Sequence, residues 1–372
     1  MHNRIRLIKL MGMALLLIGF GGVQAQPDIT RLLPIETNSA FNLAIAPDGM
    51  TAAIYELGIY HRDEIVPALL PIRLIDLMSG DQIEILIGAS DYARAIAFAP
   101  DGRTLASYHA NGYINLWDVA SGDRLRQIPA SIGGSQIGYL PDGSRIVLLN
   151  QNQLELWDPV TGHLTNLLTI RYNSLFELRE ALDGARSDTL VAFAASADSA
   201  AMATADFAGA VRLWDVEDGS HVLLRAAEEP RLPRVPIRDL LFTPEGDTLI
   251  YYNVETNAIE TTDLRRNTKT LVTPVTSEGN RARTFVSIAP EAIGFAWAEE
   301  SDDEVTTIHI STTARPDSAY TETVDLPDGV RLFPDWPPVF SPDGFRVVYI
   351  FGSFRRDLED SVGGALLVLE RG

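Results

Sequence analysis

The segment AFAPDGRTLASYHANGYINLWDVASGD, Ala97 to Asp123, decides how the rest of the chain is read. It holds a Pro-Asp-Gly turn, two apolar-rich segments, a Leu-Trp-Asp strand end and a Ser-Gly-Asp turn. Read alone, Asp101, Asp118 and Asp123 are candidate reagents. Read as parts of a repeated unit, they are turn and strand-end residues, because an Asp side chain bonds the backbone two residues on. Copies of the segment separate the two readings. Pro-Asp-Gly recurs at Pro47, Pro100, Pro141 and Pro342, with weaker forms in TPEG (Thr243 to Gly246), SADS (Ser196 to Ser199) and APEA (Ala289 to Ala292). Leu-Trp-Asp recurs at Trp157-Asp158 and Trp214-Asp215, with Leu74-Ile75-Asp76 and Thr261-Thr262-Asp263 as weaker echoes. Second turns follow at Ser79, Ser121, Thr161 and Asp218. In the turn at Arg266, Asn267 takes the place of Gly, the substitution that left-handed backbone tolerates best.

Each unit contains four short β-type segments; in the second these are RAIAFA, TLASYHA, YINLWDV and RLRQIPA. Trp117 and Trp157 stand 40 residues apart, the length of a four-stranded propeller blade of roughly 40 to 45 residues. One such blade cannot bury both faces, whereas a ring of them can. The pattern predicts an all-β fold, a seven-bladed β-propeller of four-stranded antiparallel blades forming a single domain over residues 26–372. The last unit, PVFSPDG, RVVYIF and ALLVLERG, is one strand short. The segment DITRLLPIETN, Asp28 to Asn38, is predicted to complete it as an N-terminal strand, closing the ring without an open edge.

These residues carry a resemblance. The pattern of Pro-Asp-Gly, apolar strand, Leu-Trp-Asp and Ser-Gly-Asp resembles the WD-repeat β-propeller family over almost all of 26–372, most specifically over 91–160 and 187–226. The resemblance implies a scaffold or adaptor role. The chain departs from the family at the Gly-His pair that opens each repeat and at the Asp of the turn before the Trp strand. Asn111, Gln151 and Ala208 stand near that Asp position, and no His stands at the matching place upstream. Trp117, Asp118, Trp157, Asp158, Trp214 and Asp215 repeat from unit to unit and read as architecture.

With 50 acidic against 30 basic residues the net charge is -20 at pH 7. That field repels phosphate backbones and anionic lipid, so nucleic acid is not an expected partner. Residues 1–25 combine Arg4, Arg6 and Lys9, an apolar run from Leu10 to Val23, and Val23-Gln24-Ala25. This reads as a secretory signal peptide cut after Ala25, giving a bacterial-type exported protein, periplasmic or extracellular, with no membrane insertion after cleavage. An uncleaved anchor is the alternative, but the run is shorter than the roughly 20 residues a spanning helix needs. The chain has no cysteine, which excludes disulfides, thiolate zinc sites and a lipidated cysteine.

Catalytic and metal-binding patterns are sparse. His61, His109, His163, His221 and His309 show no i, i+4 zinc spacing, and none lies near a Gly-x-Ser-x-Gly elbow. EESDDE, Glu299 to Glu304, lacks calcium-loop spacing and reads as a solvated turn. IGGSQIG, around Ser135, lacks the Lys-Ser/Thr ending of a phosphate cradle and reads as a flexible turn between blades. Neither metal nor cofactor is expected.

The informative departures are insertions. They fall on the second-to-third and blade-to-blade links, at one end of the blades: Glu56 to Leu70, Leu168 to Thr189, Glu228 to Pro236, Asp325 to Trp336 and Gly352 to Gly364. The second contains SLFELREALDGAR, whose apolar spacing predicts one short helix. Tyr172, Phe176, Arg231, Arg234, Phe333, Trp336, Arg355 and Arg356 stand in these links. They are of the aromatic and Arg types that dominate interface energetics. The expectation is a non-catalytic scaffold that binds a protein or peptide there. The alternative is a propeller-type hydrolase or lactonase with a site at the central channel. That chemistry needs polar groups converging from the innermost strands, whereas FNLAIA, RAIAFA, VAFAAS and DLLFTP are mostly apolar and small.

Overall fold

The structure, a computed structural model, describes residues 29–35, 40–56, 71–89, 91–170, 189–225, 237–254, 256, 258–266, 268–274, 285–288, 294–300, 306–312, 315–324, 330–332, 338–342, 344, 346–353 and 364–370. The signal segment, the short helix, the Ala289 to Ala292 turn and Asn267 lie outside the described residues. No helix long and apolar enough to cross a membrane occurs among those described.

After β1 (Ile29–Ile35), the chain runs through six four-stranded antiparallel sheets, each in simple up-and-down order. The first comprises β2 (Ala40–Ile45), β3 (Thr51–Glu56), β4 (Ile72–Asp76) and β5 (Gln82–Leu86). The second comprises β6 (Ala93–Phe98), β7 (Thr104–His109), β8 (Tyr113–Asp118) and β9 (Arg124–Pro129), within a residue of the four predicted segments. The third holds β10 (Gly134–Tyr139), β11 (Ile146–Asn150), β12 (Gln153–Trp157) and β13 (Leu164–Thr169). The fourth holds β14 (Leu190–Ala195), β15 (Ala201–Asp206), β16 (Val211–Asp215) and β17 (His221–Arg225). The fifth is β18 (Ile237–Phe242), β19 (Thr248–Asn253), β20 (Ala258–Asp263) and β21 (Thr268–Pro274). The sixth is β22 (Phe285–Ile288), β23 (Gly294–Glu300), β24 (Thr306–Thr312) and β25 (Arg315–Val324).

A further sheet joins the two ends of the chain. β26 (Val330–Leu332) and β27 (Val339–Phe340) both pair with β28 (Arg346–Ser353), which pairs with β29 (Gly364–Glu370). β1 lies against β29 over its whole length, from Ile29 opposite Glu370 to Ile35 opposite Gly364. The segment read as an N-terminal strand is therefore paired with the last strand.

Three expectations need correction. IGGSQIG is not a flexible link, because Gly134 to Gly138 lie in β10. A Cβ on Gly134 would stand 2.8 Å from both Leu148 Cδ1 and Tyr108 Cε1, so this glycine serves close packing. The Asp325 to Trp336 insertion is partly strand, since β26 falls inside it. Glu299 and Glu300 end β23, opposite Thr307 and Thr306, and are not in a turn.

Burial explains why the second strands read as unbroken apolar runs. β11, Ile-Val-Leu-Leu-Asn, is buried at every position, and β7 at all but its first. A middle strand is covered on both faces by the neighbouring sheets, so alternation disappears. Outer β9 shows the opposite, with only Ile128 buried. The cores lie between sheets: Tyr55, Leu74 and Leu86 of the first pack with Leu105 and Trp117 of the second. Tyr108 and Ile128 pack with Ile146 and Leu148 in the same way. Ile54 and Ile75 of the first sheet share a core with Val348, Leu366 and Val368 of the last.

Candidate functional site

Because consecutive strands reverse direction, each sheet has two unlike ends. At one lie the first-to-second and third-to-fourth turns; at the other lie the second-to-third links and the crossings to the next sheet.

The turn end is held by carboxylates. Asp118 Oδ1 accepts the N–H groups of Ala120 (3.0 Å) and Ser121 (2.8 Å), and Asp158 Oδ1 those of Val160 and Thr161 (2.7 and 3.0 Å). Asp76, Asp215 and Asp263 repeat the same pair of bonds. The Pro-Asp-Gly turns use Asp48, Asp101 and Asp142 likewise. The N–H groups of Ser121 and Thr161 hold the Asp118 and Asp158 carboxyls below the ordinary value of 3.8. Backbone donors occupy these side chains, which turns them inward to the loop.

Inside the second sheet runs a buried polar line. Trp117 Nε1–H donates to Ser107 Oγ (2.8 Å), Ser107 Oγ lies 2.8 Å from His109 Nε2, and His109 Nδ1 lies 2.8 Å from the Asp91 carbonyl oxygen. A carbonyl only accepts, so Nδ1 carries the hydrogen and Nε2 accepts from the Ser107 hydroxyl. Burial pushes His109 below its ordinary value of 6.5. The line has the order of a nucleophile, base and orienter, yet Ser107 and His109 are 0% and 1% exposed. No substrate reaches Ser107 in the folded protein.

The same place is polar in three more sheets. Asn150 Nδ2–H donates to Glu155 Oε1 (3.1 Å), Arg212 Nη1–H to Asp206 Oδ2 (2.6 Å), and Asn253 Nδ2–H to Glu260 Oε1 (2.8 Å). Trp157 Nε1–H donates to Glu155 Oε2 and Trp214 Nε1–H to Thr204 Oγ1. The polar partner of the strand thus sits at His109, Asn150, Asp206 and Asn253, the end of each second strand. Asn111, Gln151 and Ala208, which stand near the Asp position of WD repeats, lie one or two residues farther on. The sequence signal was a polar residue closing each apolar run.

At the link end, Tyr172, Phe176, Arg231, Arg234, Phe333, Trp336, Arg355 and Arg356 all lie outside the described residues. The described part of that end adds residues that no insertion marks. Tyr92, Tyr113 and Ile132 are 43%, 37% and 73% exposed. Ala110 N–H donates to the Tyr92 carbonyl and Ala130 N–H to that of Gly112, which stitches their loops together. A Cβ on Gly112 would stand 2.9 Å from Ile132 Cγ1. The Arg94 guanidinium lies 5.8 Å from the Tyr92 ring centroid and donates to its hydroxyl (3.3 Å). The signal here was an exposed aromatic beside Gly or Asp in a short link, too brief to register as extra length.

On the first strands, Asn42 Nδ2–H donates to the Arg94 carbonyl (2.9 Å) and Gln136 Nε2–H to that of Val191 (2.8 Å). Both amides bridge neighbouring sheets. Among the described residues no three His, Cys, Asp or Glu side chains gather in a group that suits a metal ion.

Up-and-down four-stranded sheets with shared cores, Trp-Asp strand ends and Asp-closed turns are consistent with a β-propeller and resemble WD repeats. The relatives agree. The chain is 30% identical over 79 residues to the small ribosomal subunit protein RACK1z of Oryza sativa subsp. japonica, 21% of this chain and 24% of that one. It is 31% identical over 70 residues to an uncharacterized WD repeat-containing protein of Synechocystis, 18% and 20% of the two chains. With RACK1z of Arabidopsis thaliana the identity is 22% over 135 residues, 35% and 41% of the two. The match therefore spans less than half the length of each of these relatives. No protein-family model matches the chain.

Proposed function

We propose that the protein is an exported, non-catalytic scaffold, a closed seven-bladed propeller over 26–372 that binds a protein or peptide through its link end. Closure is supported by β1 pairing with β29, by the core shared between first and last sheets, and by the Arg346 guanidinium, which donates to the Gly49 carbonyl across the two sheets at 2.8 Å. Contacts between first strands support it too: β2 meets β6, β6 meets β10, β14 meets β18, β18 meets β22, and β22 and β2 both meet β27. Export rests on residues 1–25 alone.

The observation that carries the binding role is the contrast at the link end. Tyr92, Tyr113 and Ile132 stand exposed on a stitched, stable pair of loops, beside the insertions that hold the aromatic and Arg candidates. A non-catalytic role is supported by sealing of the Ser107–His109 line and by the bridging use of Asn42 and Gln136. The plant relatives are named as proteins of the small ribosomal subunit. A charge of -20 speaks against a seat on nucleic acid for this chain, so partner capture carries over as the class of role and the ribosome does not. The test is affinity purification of the tagged chain from its native envelope or medium. A reproducible protein partner is the expected result; loss of that partner on chelation, or turnover of an ester or lactone by the pure protein, would replace the reading with the channel enzyme.

A further inference from the structure

One buried group is used by nothing described so far. Asn115 of β8 is 1% exposed, and both its Oδ1 and Nδ2 are buried without a hydrogen-bond partner. An orphaned buried amide costs stability. Asn115 lies directly opposite Ser107 in the β7–β8 register, and residues paired across an antiparallel ladder share one face within about 5.5 Å. Ser107 is the middle of the line from Trp117 to His109.

We propose that Ser107, His109 and Asn115 form a two-position hydrogen-bond relay that lets the second sheet accept a proton from acidic medium without losing its internal bonds. At neutral pH the Ser107 hydroxyl donates to His109 Nε2. When a proton from solvent adds to Nε2, that atom becomes a donor and needs an acceptor. Ser107 Oγ supplies a lone pair only if its own hydrogen turns elsewhere, and the Asn115 carbonyl is the acceptor opposite it. Trp117 Nε1–H still donates to Ser107 Oγ, and His109 Nδ1–H still donates to the Asp91 carbonyl. Every hydrogen of the Trp117, Ser107 and His109 line then has a partner in both states.

The charged surroundings act in opposite senses. The Asp91 carboxylate favours the protonated ring, and the Arg124 guanidinium, tied to the Gly88 carbonyl at 2.7 Å, opposes it. From the first sheet, Tyr55 packs in the same core as Trp117; burial pushes its phenol up to about 12, so it stays neutral throughout. The relay acts on one buried ring and is independent of any partner.

The test is a stability comparison at two pH values. Asn115→Leu removes the orphaned amide, so at pH 7.5 the variant is expected to be as stable as the parent or more so. Below the pH at which the parent's His109 titrates, the protonated ring of the variant has lost its acceptor. The variant's unfolding constant is then expected to rise by about tenfold relative to the parent, the scale of one hydrogen bond to a charged group. NMR titration of the His109 ring should show a lower pKa in the variant than in the parent. In the double variant His109→Gln, Asn115→Leu the acid-specific loss should vanish. Equal shifts of the denaturation midpoint at both pH values, an unchanged His109 pKa, or persistence of the acid loss without His109 would each overturn the relay. Should Asn115→Leu fail to fold, Asn115→Ala serves, because its cavity costs the same at both pH values and drops out of the difference.

Discussion

At the turn end the second sheet carries Asp101, Asp118 and Asp123; at the link end it exposes Tyr92, Tyr113 and Ile132. The acids outnumber any other side chain at the turns, yet the recurring ones are consumed by backbone N–H groups. The apolar residues at the other end are few, but their side chains face water. Repetition and exposure separate in this chain: what recurs from sheet to sheet closes turns and stacks cores, and Tyr92, Tyr113 and Ile132, which do not recur, stand exposed.

If the repeated parts are architecture, damage to them should register in stability. Deleting β1 is expected to have the largest effect, because it bares β29 along its whole length and unlinks the chain ends. A loss above about 4 kcal/mol, or failure to fold, is expected in chemical denaturation. An unchanged midpoint would mean that the last sheet is complete without it. Ser107→Ala comes next: it strips partners from the Trp117 indole N–H and from His109 Nε2 in a buried site, at a cost of about 2 kcal/mol. Tyr92→Ala, at the link end of the same sheet, serves as the contrast.

The acid limb of stability sharpens the turn end. Asp118 has a folded-state value below 3.8, held there by the Ser121 N–H. Its stabilising contribution is thus complete above 3.8 and is lost as the pH falls through the lowered value. Asp118→Asn keeps the acceptor oxygen and removes the titration, so its midpoint should fall less steeply than the parent's below pH 3.8. His109 titrates in a higher window. Its value is lowered from 6.5 by burial, so its contribution is present above 6.5 and lost as the pH falls toward the lowered value. His109→Gln should flatten the parent's slope there.

The sheets were legible because turn chemistry is local. Pro-Asp-Gly and Ser-Gly-Asp require specific backbone, with Gly102 and Gly122 at φ 70 and 73, and so mark where strands stop. What escaped was set by distant neighbours. Gly134 and Gly138 look like loop glycines until Tyr108 and Phe193 are seen pressing on them from the neighbouring sheets. SADS reads as a weak turn, and Ser199 takes φ 60 there; no local pattern reveals that its hydroxyl accepts the Asp142 N–H from the neighbouring sheet. Asn115 reads as an ordinary strand polar residue, and only its register opposite Ser107 gives it a role. At the link end, Tyr92, Tyr113 and Ile132 lie on short loops that add no length to the repeat.

The smallest expected stability effect belongs to those three. Alanine at Tyr92, Tyr113 or Ile132 should change unfolding free energy by about 0.5 kcal/mol or less each, as for exposed positions generally. A drop of about 2 kcal/mol would make them part of the core and erase the contrast between the ends.

Capture at the link end is tested by measuring the affinity of the captured partner for two sets of variants by titration calorimetry. One set carries alanine at Tyr92, Tyr113, Ile132, Trp336 and Arg355, the other at Asp101 and Asp123. The first set is expected to lose about 1 to 2 kcal/mol or more at each true contact, while the second binds as the parent does. Full affinity in the first set together with lost affinity in the second would contradict it, and would place the partner on the repeated turns.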